Sequence, residues 1–83
     1  MRADEVLAED ANRAEFGGLS VRKGTIAAFL MNARVWSDPT TGDEARRQAE
    51  ADIRDAAPAL RAVGLFEVLA VKDAALAKLL AEA

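Results

Sequence analysis

Between positions 25 and 36, Ile26, Phe29, Leu30, Ala33 and Trp36 recur at i, i+3, i+4, i+7 and i+10. That spacing lines up side chains along one face of an α-helix. Ala27, Ala28, Met31 and Val35 make much of the remaining circumference apolar as well. A helix that is apolar most of the way round is normally enclosed by others. Residues 25–36 are therefore expected to form the central helix of the fold.

A second apolar stripe runs through Ala45, Ala49, Ile53, Ala56, Leu60 and Val63. Thr41 followed by Glu44 fits a capping box, in which two side chains satisfy free amides at a helix start. Asp43 with Arg47 and Glu50 with Arg54 are spaced as i,i+4 ion pairs, which predicts a solvated outer face. Pro58 interrupts the run, because its ring clashes with the preceding turn of a helix interior. The pattern predicts a break near Asp55, with Asp55 capping a second short helix that holds Pro58 in its first turn. Gly64 then ends that piece. Asp73 is a good N-cap for a last helix whose inner side carries Leu76, Leu79 and Leu80.

The remaining segments carry thinner patterns. Residues 3–15 suggest a peripheral helix, with Asp4 and Glu5 in its first turn, Glu9 and Arg13 paired, and Gly17-Gly18 as its stop. Leu19-Ser20-Val21-Arg22 alternates apolar and polar, as a short strand or an extended connector would. Residues 65–71 fit either a buried strand or a further turn of helix. The fold expected is mainly α: four to five short helices around the central one at 25–36. A small antiparallel β pair, about 19–22 with 66–70, is its optional addition. At 83 residues, this amounts to one domain spanning 1–83.

Composition strengthens the helical reading. Alanine, the best helix former, occupies 20 of the 83 positions, whereas only four residues are aromatic: Phe16, Phe29, Trp36 and Phe66. A chain this short buries roughly 60% of its unfolded surface, which supports a modest core. Histidine, cysteine and tyrosine are all absent. Disulfides and thiolate chemistry are thereby excluded, along with the commonest general base and metal ligand. The start of the chain lacks the basic-then-apolar pattern of a secretory signal, and no run approaches the length of a membrane span. A cytoplasmic location, with no membrane partner, is the expectation. The net charge of −3 argues against nucleic acid, which needs clustered cations.

Candidate chemistry is sparse. Glu5, Glu9, Asp10, Glu50 and Asp52 share their helical stretches with arginines and read as a solvated charged surface rather than a metal site. Glu67, between Phe66 and Val68, reads as the outward residue of an amphipathic segment. Asn32, on an otherwise apolar helix, either faces solvent or makes a buried hydrogen bond. Arg22, Lys23, Gly24 and Thr25 place two cations at the start of the central helix, a candidate anion site that competes with simple capping by Thr25 or Ser20. The phosphate-loop pattern is missing there. No catalytic, cofactor or metal-binding residue is assigned, and no cofactor is expected.

Gly24-Thr25-Ile26-Ala27-Ala28-Phe29-Leu30-Met31-Asn32 and Pro58-Ala59-Leu60-Arg61-Ala62-Val63-Gly64-Leu65-Phe66-Glu67 resemble segments of a family of small bacterial proteins, a domain of unknown function. The resemblance implies that the two segments face each other in one core, and it brings no activity. The expected function is a small, non-enzymatic protein-interaction module that associates with itself or another small protein. Trp36, Phe66, Leu76 and Leu80 are its candidate interface residues. The rival is a small-ligand or anion-binding protein using the helix start at Arg22-Lys23-Gly24-Thr25.

Overall fold

In the computed structural model, the described residues are 13–16 and 19–22, as backbone, and 24–83. They form β1 (Arg13–Phe16), β2 (Leu19–Arg22), α1 (Thr25–Ser37), α2 (Asp43–Val63), α3 (Leu65–Val68) and α4 (Ala74–Glu82). The chain is mainly helical, as expected. The helix expected over 3–15 lies largely outside the described residues, but its end is corrected: 13–16 is a strand. Arg13, Ala14, Glu15 and Phe16 alternate polar and apolar, the period of a strand. They pair antiparallel with β2, from Arg13 opposite Arg22 to Phe16 opposite Leu19.

The pairing of 19–22 with 66–70 does not form. Leu65–Val68 is a single helical turn, and the backbone becomes extended at Leu69. Its partner strand is instead its neighbour in sequence, which closes a loop at far smaller entropic cost.

The longest helix, α2, spans 21 residues without a break at Asp55, and Pro58 lies inside it. Its inner stripe explains this. Ile53, Ala57 and Leu60 are completely buried on either side of the proline, so a continuous helix keeps all three in one core. Burial of each large side chain is worth about 1.5–3 kcal/mol, which offsets the hydrogen bond proline removes. Pro58 itself faces solvent. Gly64 ends the helix with φ 88°, and its N–H bonds the carbonyls of Leu60 and Arg61. Among the described residues, this left-handed geometry is the one position where glycine is required.

Helix α1 forms where the periodicity placed it and lies along α2. Its burial is narrower than expected: Phe29 and Ala33 are buried, whereas Leu30 is 55% and Met31 69% exposed. The completely buried large side chains, Ile53 and Leu60, both belong to α2. The middle of the core is thus amphipathic α2, with α1 covering one side and Leu76, Leu79 and Leu80 of α4 another. Asp73 caps α4 as expected, accepting hydrogen bonds from the N–H groups of Ala75 and Leu76 at 2.8 and 3.0 Å. Arg61 donates to the carbonyls of Leu80 and Ala83 at the other end of that helix, at 3.2 and 3.1 Å.

The capping box is also corrected. Gly42 is the N-cap of α2 and makes no side-chain cap bond. The Thr41 hydroxyl donates to the carbonyl of Val35 at 2.7 Å, and Glu44 pairs with Arg47 at 2.9 Å in place of Asp43. That bond joins the Asp38 N–H on the Val35 carbonyl at the end of α1, so Thr41 ties the two helices together. Glu50 and Arg54 do pair, at 3.7 Å.

Candidate interaction surface

Three side chains hold the α1–α2 corner. The Trp36 indole N–H donates to Glu50 at 3.1 Å, and Arg46 donates to the carbonyls of Trp36 and Asp38 at 3.1 and 3.0 Å. Phe29 meets Phe66 edge-on, with centroids 6.4 Å apart, so the segments 24–32 and 58–67 do touch. These contacts fix α1 in orientation and decide which of its faces is left outside.

Expected interface residues mostly lie inside. Leu76 and Leu80 are 8% and 5% exposed and belong to the core. Trp36 and Phe66 are half-buried and packed against that core. As surface anchors, Leu76 and Leu80 are therefore corrected: their heptad-like stripe is the inward face of α4.

The apolar surface lies elsewhere. Ile26, Leu30, Met31 and Val35 of α1, with Val68 and Leu69 after it, are the exposed large hydrophobic residues among those described. Ala27 and Ala28 are exposed beside them. At about 100° per residue, positions 27, 28, 31, 34 and 35 share one outer strip of α1. Arg34 is the only charged residue in that strip. Next to it runs a groove lined by Ile26, Leu30, Ala33, Phe66 and Leu69, with Arg34 and Lys72 at its rim. Sequence periodicity identified all of these positions as apolar. It could not say which of them α2 would leave uncovered, because more than half the circumference of α1 qualified.

Of the candidate anion site, Arg22 ends β2, Lys23 lies outside the described residues, and Gly24 is the N-cap of α1 without a side-chain cap bond. Gly24 and Thr25 open onto a hollow that Asn32, Asp52 and Asp55 also line. Two carboxylates at that hollow repel an anion, so the helix start and its surroundings oppose each other electrostatically. Asn32 is half-buried and Glu67 exposed. Among the described residues no three acidic side chains gather in a way that would hold a metal ion, and no helix is long and apolar enough to cross a membrane. Asp38 is the one described group whose carboxyl is displaced, downward, by bonds from the Thr40 N–H and hydroxyl.

No known protein family, curated protein or solved structure matches this chain.

Proposed function

We propose that this protein is a small non-enzymatic interaction module that associates with copies of itself. The observation that carries the reading is the outer strip of α1, where Met31 at 69% and Val35 at 39% exposure stand beside Leu30 at 55%. Adjacent apolar side chains left outside a small core form the kind of patch that marks interaction surfaces. Interface anchors are large side chains that become fully desolvated on contact, and Met31 is placed to be one. The anion-binding reading draws no comparable support, since Asp52 and Asp55 line the hollow it would use.

Sedimentation velocity from nanomolar to hundreds of micromolar tests this. The expected result is a monomer that converts to a dimer as concentration rises. Met31→Glu, at a side chain 69% exposed, should weaken that association roughly thirtyfold or more, the loss expected of a hot-spot residue. A chain that stays monomeric across the whole range overturns the proposal.

A further inference from the structure

We infer that the groove between α1 and residues 65–73 binds a free straight-chain carboxylate, with its acyl chain in the groove and its head on Arg34 and Lys72. This goes beyond the association proposed above and does not depend on it, because Met31 and Val35 do not line the groove. The groove holds about 520 Å³, within the roughly 300–1,000 Å³ of small-molecule sites. Buried Phe29, Ala33 and Leu76 form its floor, and exposed Ile26, Leu30 and Leu69 its walls.

Charge selects the head group. Apart from Arg34, Lys72 and Asp73, every lining side chain is apolar. The Asp73 carboxylate is already engaged by the N–H groups of Ala75 and Leu76 at the start of α4. Arg34 and Lys72 are exposed, and neither side chain makes a hydrogen bond or ion pair among the described residues. In a chain of net charge −3, this leaves two uncommitted cations beside a hydrocarbon wall. An anionic amphiphile matches both features at once. An extended peptide matches them poorly. It carries an N–H and a C=O at every residue, each costly to bury without a partner, and the groove surface is almost wholly apolar. An acyl chain has no such groups and gains with each methylene it buries.

Length follows from the helix. The stretch of α1 that lines the groove, from Ile26 to Arg34, rises about 12 Å. Extended hydrocarbon, with C–C bonds of about 1.5 Å, advances about 1.25 Å per carbon, so about ten carbons match that wall. A ligand this small, in an open groove, binds with a dissociation constant on the order of tens of micromolar.

Isothermal titration calorimetry of the full-length protein tests this with probes that share one chain: sodium decanoate, 1-decanol and decyltrimethylammonium. Decanoate should bind one to one and about tenfold or more tighter than decyltrimethylammonium, with decanol between them. Arg34→Glu combined with Lys72→Glu, both at exposed side chains, should invert that order. Leu69→Asp, at a side chain 58% exposed, should weaken decanoate about tenfold or more, whereas Met31→Glu, outside the groove, should leave it unchanged. Far-UV circular dichroism should keep its helical signal at saturating decanoate. Equal affinity for the two charged heads, an order that survives charge reversal, or a loss of helix would each overturn the site. So would binding to phosphatidylglycerol vesicles with none to decanoate, since the ligand would then be a membrane surface. A protein that binds decanoate yet stays monomeric at every concentration keeps this site and loses the self-association. A dimer that ignores decanoate does the reverse.

Discussion

The carboxylate of Asp38, just after α1, accepts hydrogen bonds from the backbone N–H of Thr40 at 2.9 Å and from its hydroxyl at 2.7 Å. Those two bonds, with a smaller contribution from the charge of Arg46, hold the carboxyl below its ordinary value. A carboxylate with a depressed folded pKa stabilises the fold above its unfolded pKa, about 3.9, and loses that contribution as pH falls through the lowered value. Asp38→Asn should therefore be less stable than the parent at neutral pH, and the two should converge in acid as pH falls through the lowered value. Urea midpoints at a series of pH values check this; a gap that persists unchanged into acid would show that charge is irrelevant to this turn. The Asp38 motif was readable only as a polar loop, because its bonds depend on how Pro39 and Thr40 turn between two helices. Asp73 was easier, since an N-cap is satisfied within three residues of itself.

At the scale of elements, local signals held and choices between partners did not. The ends at Gly64 and Asp73 follow from single-residue geometry, and α1 from its 3.6-residue period. The hairpin was missed because Arg13–Phe16 alternates over only four residues and follows a stretch rich in helix formers. The break assigned to Pro58 failed for a different reason. Proline's cost is local and visible in the sequence, whereas the burial of Ile53, Ala57 and Leu60 that outweighs it exists only once α1 and α4 have packed. That balance yields a prediction. Pro58 is exposed and sits in the interior of α2, where proline is about 3 kcal/mol worse than alanine. Pro58→Ala should raise stability by up to about 3 kcal/mol, seen as a higher urea midpoint with an unchanged denaturant slope. A lower midpoint would mean that the helix depends on a proline-induced bend to bring its two halves onto the core.

Across the whole molecule, the described core holds nine buried hydrophobic residues, three of them alanines, while six large hydrophobic residues stay exposed. The length of the sequence pointed to a modest core, and the periodicity to an α1 apolar round most of its circumference. Neither could show that most of the exposed large hydrophobic residues would lie on α1, which depends on the angle at which the Trp36–Glu50 and Arg46 contacts set that helix. The self-association proposed for this face would add stability to the fold, and that gain would follow mass action. Each tenfold rise in concentration above the dissociation constant is worth about 1.4 kcal/mol per dimer. With an unfolding entropy of about 2.1 cal/mol/K per residue, that shifts the melting temperature of an 83-residue dimer by about 4 °C. The melting temperature should thus be flat at nanomolar concentrations and climb by about 4 °C per decade once the dimer fills, with Met31→Glu flat throughout. Differential scanning calorimetry at high concentration, joined to fluorescence of Trp36 at low concentration, spans the range. A parent protein that melts at one temperature from nanomolar to millimolar would show that the exposed face of α1 adds nothing to the stability of the fold by pairing.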